Sequence, residues 1–383
     1  MKRNRWIILL VLVFSLACGT NQKSADKLTR TDMDTTYAFL LGTYTELPEQ
    51  GIHLVHYRPE KGGFEVRATA SDPSNPSFLI ANKKQTLAFC VEENSGADGG
   101  RVRSFQLTET GFSAINSVSS MGNGPCYLSL DPSEKFLVVG NYSQGNFSVI
   151  PVSGDGHLEP AIQVIQHEGS SAHPRRQQQP HVHSTVFHPK DGRLLVADLG
   201  TDEVVVYNVT NDPEKPVQVT PHFRLKVAPG AGPRHMVFNE AADLLYLVHE
   251  ITAEIGVYHY EDGVLRHQET HSLLREGFEG KVGAAEVRLS PEGKHLYVSN
   301  RGDANELIVF GVSSAGLTHL QTVASEGEAP RNFNLTPDGA YLIVGNQNSN
   351  RLLSFRRDEN SGQISPTGEY LDVHKPVYID FLP

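Results

Sequence analysis

The chain has 383 residues, with 33 Lys and Arg against 44 Asp and Glu and a formal net charge of −11. That acidity leaves no electrostatic footprint for nucleic acid, so a local cluster of basic residues points to a small anionic ligand. The length exceeds a usual single core but suits a fold that spreads burial over repeated units.

At the N-terminus, Lys2, Arg3 and Arg5 precede an apolar run from Ile7 to Ala17. The run is too short to span a bilayer and reads as a signal peptide over residues 1–17. It ends in Ser15-Leu16-Ala17-Cys18-Gly19, which resembles a bacterial lipobox with Ser15 where an aliphatic residue is usual. Cys18 is then the lipidated first residue of the mature chain, and residues 18–36 are a polar, patternless tether. The expectation is an exported lipoprotein of the bacterial cell envelope, on the periplasmic side or the surface, touching the membrane only through its anchor. The alternative is ordinary signal-peptidase cleavage with Cys18 incidental.

From Tyr37 onward, residues 37–383 read as one repeated domain. Copies begin at Pro76, Pro125, Val182, Pro233, Ala284 and Pro330, with a truncated copy, PVYIDFLP, at Pro376. Starts spaced by roughly 46–57 residues mark a propeller or solenoid. Within a copy, an apolar alternating run leads to a turn such as Asp131-Pro132 or Thr336-Pro337, then a dense β-branched and aromatic run. A third run and a more polar fourth follow, as in Glu306–Val312 and Leu317–Val323. Short strands punctuated this regularly by Gly, Pro, Asn and Asp predict an all-β fold. Four-stranded units repeated radially predict a β-propeller with four antiparallel strands per blade. The last copy supplies one strand, while Tyr37–Thr43, Gly51–Arg58 and Phe64–Ala70 supply three. Together they make a seventh blade that closes the ring from both termini. Cys90 and Cys126 fall on strands of different blades at different positions, which predicts free buried thiols rather than a disulfide.

In such a ring, the start of each first strand and the end of each second strand lie on one face beside the central channel. The second positions of the first strands read Ser77, Cys126, His183, Arg234, Ala285, Arg331 and Val377. The ends of the second strands read Thr43-Tyr44, Glu92-Glu93, Asn141-Tyr142, Asp198-Leu199, His249-Glu250, Asn300-Arg301 and Asn346-Gln347. A mouth bearing Arg, His and Glu suits a small anionic molecule, because guanidinium offers planar donors to carboxylate or phosphate. Arg331 is a second-tier contact that equally suits a pair with Glu92 or Glu93. Asn141, Asn300 and Asn346 are further second-tier contacts that equally suit strand caps. His235 and His249 are expected to hydrogen-bond within their strands, and Cys126 to be a structural thiol. His181 and His183 form an H-x-H pair without a third ligand at telling spacing, so no metal is expected. The connection 166–181, QHEGSSAHPRRQQQPH, is the longest between blades. Its Arg175 and Arg176 either reach over the mouth or belong to a plain solvent loop.

At these residues a resemblance becomes specific. GTYT, PHVHS, GPRH, LYLVHE, LYVSNRG and PRNF, in that order, resemble the lactonase family of seven-bladed propellers. That family includes cycloisomerase-type 6-phosphogluconolactonases and 3-carboxy-cis,cis-muconate lactonising enzymes. The resemblance implies a catalytic set of His183, Arg234, Glu250 and Arg301, residues the channel positions also single out. It further implies hydrolysis of a small anionic or sugar-derived lactone; a monomer without cofactor is expected. Glu250 and His183 are the acid–base candidates. Two nearby arginines would keep Glu250 ionised, which suits a base better than an acid. Ring closure of the muconate-lactonising type and a non-catalytic binding propeller are the alternatives.

Overall fold

The structure is a computed structural model that describes residues 35–47, 50–108 and 110–382. The expected signal peptide, Cys18 and nearly all of the tether lie outside the described residues. The strands form seven four-stranded antiparallel sheets. Blades one to seven have first strands Leu79–Ala81, Pro125–Leu130, Val182–Phe187, Pro233–Phe238, Val282–Leu289, Pro330–Leu335 and Pro376–Leu382. Among the described residues the only helical element is a short 3-10 turn, Gln347–Ser349.

The hairpin from first to second strand repeats one device. A polar side chain at the end of the first strand accepts backbone N–H groups a few residues on, which fixes the turn locally. Asp131 Oδ1 accepts from the amides of Lys135 and Phe136 at 2.6 and 2.8 Å. Asn82 does the same for Thr86 and Leu87, and Asn239 for Asp243 and Leu244. These turns all sit at the opposite end of the blades from the second-strand tips.

Apolar side chains of the inner strands fill the spaces between blades. Tyr297, Leu307, Phe333, Leu342 and Phe355 form one cluster between blades five and six. Phe78, Phe89, Val102 and Leu128 belong to another that links blades one and two. The ring closes as expected. Pro376–Leu382 pairs antiparallel with Tyr37–Thr43, with Phe39 opposite Phe381 and Leu41 opposite Ile379. The Phe39 and Phe381 rings lie 5.2 Å apart. The pairing gives Tyr37–Thr43 a partner on both sides, so that strand presents no bare edge to template aggregation.

One irregularity of register recurs, and it decides the function of the inner strands. Pro125 pairs with Asn141 and Tyr127 with Gly140, leaving Cys126 as an extra residue. His183, Arg331 and Val377 are extra in the same way. In blade four, Arg234 and His235 together oppose the single step between Leu247 and His249, and in blade five Ala285 and Glu286 do the same. A β-bulge breaks the alternation of a strand and re-aims its side chains. Here the bulges stand at the second position of the first strand and turn consecutive residues toward the axis.

Candidate active site

The bulged residues line a cavity on the axis. It is small and bounded by Ser77, Cys126, His183, Arg234, Arg331 and Val377, with Phe78, His235, Asn332 and Tyr378 beneath them. The upper tier is the ring of second positions found in the sequence, with Ala285 as the exception. Ala285 contributes its carbonyl instead, which accepts from Arg234 Nη1 at 2.6 Å.

Glu250 is the hub. Its main chain is clamped on both sides: its N–H donates to Gly232 O at 2.7 Å, and its carbonyl accepts from Ala284 N at 3.2 Å. Its carboxylate is buried and carries three guanidinium groups. Arg234 Nε donates to Oε2 at 2.9 Å, Arg301 Nη2 lies 3.2 Å from the same oxygen, and Arg176 Nη2 donates to Oε1 at 2.6 Å. Burial alone would push this carboxyl up. Arg301, Arg234 and Arg176 outweigh it and hold the group down at about 2. His183 places Nε2 3.9 Å from Oε2 of Glu250. Burial, then the charges of Arg234 and Arg331 with the His235 ring, hold the imidazole well below its ordinary value. His183 is therefore neutral near pH 7, with its other nitrogen 3.9 Å from Cys126 Sγ. Burial pushes the Cys126 thiol far up, so it is protonated and no nucleophile. Cys90 and Cys126 are both free and buried.

The structure thus gathers His183, Arg234, Glu250 and Arg301 from blades three, four and five at one mouth. Arg331 stands across the cavity, 3.6 Å from Glu93 and over the ring of Tyr44, whose hydroxyl donates to Glu93 at 2.9 Å. Glu92 is committed elsewhere, to Arg103. The three asparagines hold backbone rather than facing the cavity. Asn141 Nδ2 donates to Ser120 O at 3.0 Å and Asn346 Nδ2 to Ser325 O at 2.7 Å, while Asn300 Oδ1 accepts from Gly283 N at 3.1 Å. Each ties its second-strand tip to nearby backbone, as the capping alternative describes.

Of the two readings of the long insertion, reaching over the mouth describes Arg176, which donates to Glu250 and, at 3.1 Å, to the hydroxyl of Tyr142. His235 does not bond within its strand. It reaches 3.2 Å across to Glu286 of blade five, which also accepts from Asn332 Nδ2 and lies 3.5 Å from Arg288. That lower tier closes the channel beneath the cavity with a paired, buried polar network. The bulges put Arg234 and His235, or Arg331 and Asn332, on the axis together, where strict alternation would have sent one of each pair elsewhere.

Residues 38–381 match the family described as lactonase, 7-bladed beta-propeller. The chain belongs to this lactonase family. It is 28% identical to the 6-phosphogluconolactonase of Bacillus subtilis, covering 91% of this chain and 99% of that protein. A 6-phosphogluconolactonase of Formosa agariphila is likewise 28% identical over 87% of this chain and 96% of its own. Among solved structures, the periplasmic gluconolactonase PpgL of Pseudomonas aeruginosa superposes with a TM-score of 0.87 and 36% identity, over 91% of this chain and 99% of that one.

Proposed function

We propose that this lactonase opens a small sugar-derived lactone, with His183 as general base and Arg234 and Arg301 as oxyanion donors. The observation that carries the reading is a neutral imidazole beside a carboxylate that binds three guanidinium groups. A carboxylate held at about 2 is a weak proton acceptor, whereas a neutral imidazole is a competent one near pH 7. This departs from the preference for Glu250 as base, because three arginines rather than two surround it.

In the proposed sequence, water attacks the ring carbonyl while His183 Nε2 takes its proton. The carbonyl oxygen becomes an alkoxide facing Arg234 and Arg301, whose charges are worth most in a buried site. Collapse breaks the bond to the ring oxygen, which takes the proton from the imidazolium. One water is added and an open-chain hydroxy acid leaves. Glu250 orients the arginines and stabilises the imidazolium, 3.9 Å away. Ring opening is preferred to ring closure because the relatives with named activities are lactone-opening enzymes.

The leader residues 1–17 and Cys18 support an exported, lipid-anchored enzyme, and the likeness to a periplasmic gluconolactonase supports the export. Sugar phosphates are scarce outside the inner membrane, so a lactone without phosphate is the better candidate there. The test is a pH-stat assay of glucono-1,5-lactone, glucaro-1,4-lactone and 6-phosphoglucono-1,5-lactone, corrected for spontaneous opening. Acceleration of at least one, lost in His183→Gln, is expected. No acceleration of any would overturn the proposal.

A further inference from the structure

The arginines on Glu250 are not equivalent. The Arg234 side chain is 2% exposed and that of Arg301 18%, but that of Arg176 is 42% exposed. Arg234 and Arg301 each also donate to a main-chain carbonyl, of Ala285 and Gly283 respectively. Arg176 comes instead from the insertion and donates to two side chains at the open end of the mouth, Glu250 and Tyr142.

The insertion is built to hold this side chain in place. Gln177 is wholly buried, with its Nε2 donating to Leu199 O at 2.8 Å and to Asp202 Oδ1 at 2.7 Å. Its Oε1 accepts from His173 N at 2.8 Å. Asp202 also accepts from the amides of Gly230 and Gly232 and from the Ser171 hydroxyl. Nearby, a Cβ on Gly200 would lie 1.9 Å from Gln179 O, so only glycine lets the insertion pack this closely. On the other side, the ring of Tyr142 stacks on His181 at 4.4 Å and meets His183 edge-on at 5.4 Å. A plain solvent loop needs neither a buried glutamine nor a stacked tyrosine.

A guanidinium that is fixed at its base, half open to solvent and bound to a carboxylate can exchange that carboxylate for another oxyanion. Arg234 and Arg301 lie deeper and are each tied to a main-chain carbonyl, which keeps them at the position assigned above to the ring carbonyl oxygen. Resting on the lactonase reading above, we propose that Arg176 is the specificity residue that binds an oxyanion substituent of the lactone, carboxylate or phosphate, remote from the ring carbonyl. Tyr142 positions it. The forked donors of Arg176 match either oxyanion, and the surplus of positive charge at the mouth favours its arrival.

The test uses the full chain and its Arg176→Ala, Arg176→Lys and Tyr142→Phe variants. Kinetics on neutral glucono-1,5-lactone are compared with those on glucaro-1,4-lactone, which bears a carboxylate, and 6-phosphoglucono-1,5-lactone. Arg176→Ala is expected to raise KM for an anionic lactone about 10–100-fold more than for the neutral one, with kcat changing far less. Arg176→Lys should recover part of that loss, and Tyr142→Phe should show a smaller loss of the same kind. The oxyanion whose KM moves identifies the substituent. Equal losses on neutral and anionic lactones, or no preference for either anion in the parent, would overturn the proposal while ring opening stands. If the parent opens no lactone, the function above fails. Calorimetric titration with glucarate then decides Arg176 by itself: binding weakened about tenfold or more in Arg176→Ala supports the proposal, and unchanged or absent binding overturns it.

Discussion

His183 and Glu250 approach to 3.9 Å between Nε2 and Oε2, beyond a hydrogen bond yet close enough for one oxygen atom to touch both. The carboxylate is ionised and the imidazole neutral, although the two are neighbours. The arginines favour the negative charge on Glu250 against its burial, while burial first and the arginines second oppose a positive charge on His183.

This sets the pH behaviour. Glu250 is held at about 2 when folded, against roughly 4.3 unfolded. Its contribution is present above that unfolded value and is lost as pH falls through 4.3 toward 2. His183 is depressed from 6.5, so below 6.5 the unfolded chain binds a proton that the folded one refuses. Stability therefore begins to fall at about pH 6.5 as the medium becomes acid, with a slope of up to about 1.4 kcal/mol per pH unit from this one group. Urea unfolding at pH 7.5, 6 and 5 should show it, and His183→Gln should flatten the slope. The acid limb of kcat/KM should lie below pH 6, because neither group titrates between 6 and 8. A limb at 6.5 would mean that His183 is protonated as an ordinary histidine.

Replacing the hub separates charge from shape. Glu250→Gln leaves three guanidinium groups without their carboxylate and the imidazolium without its counter-charge. Turnover is expected to fall about 10²-fold or more. KM for an anionic lactone should stay level or fall, since the mouth has become more positive. A raised KM with unchanged kcat would take Glu250 out of the chemistry.

The ring closure makes a mechanical prediction. Deleting residues after Lys375 removes the strand that pairs Phe381 with Phe39 and Ile379 with Leu41. It also removes the Asp380 carboxylate that accepts from Ala81 N of blade one at 3.1 Å. The truncated chain should lose cooperative thermal unfolding and aggregate through its bared edge. Melting like the parent would show that the seventh blade is dispensable.

The proposed anchor is tested by metabolic labelling with a palmitate analogue. Full-length protein should take the label and Cys18→Ser should not. Label that persists in Cys18→Ser, or full-length protein found wholly in the cytosol, would remove the lipoprotein reading.

Blade count, the clasp and the upper tier of the mouth were legible because a repeat lets each position be read against its equivalents. His183, Arg234 and Arg331 stood out only because Ser77, Cys126, Ala285 and Val377 occupy the same place. The lower tier of His235, Glu286 and Asn332 was hidden, since it depends on a bulge, and no residue type announces one. The asparagines at strand tips left two readings open for the opposite reason. Asn141 and Asn346 recur at equivalent positions because each ties down a neighbouring loop, and repetition of a strut looks like repetition of a site. Arg176 stayed open between the mouth and a plain solvent loop because an insertion has no equivalent in other blades to be compared with.

Arg301→Lys tests the oxyanion assignment against the specificity assignment of Arg176. Arg301 lies opposite Gly283 across the strand pair. Its Nε donates to Gly283 O at 2.9 Å while Nη2 holds Glu250 at 3.2 Å. Lysine keeps the charge, but one ammonium cannot span both partners and still face a third atom, so the fork is lost. The residue acts on the ring carbonyl, which every lactone shares. Turnover should therefore fall by a similar factor, on the order of 10- to 100-fold, for neutral and anionic lactones alike. That is the reverse of the pattern expected for Arg176, where KM moves and only for anions. Parallel kinetics on glucono-1,5-lactone and glucaro-1,4-lactone check it. A loss confined to KM for the anionic substrate would place Arg301 with Arg176 as a binder of the substituent and leave Arg234 as the oxyanion donor.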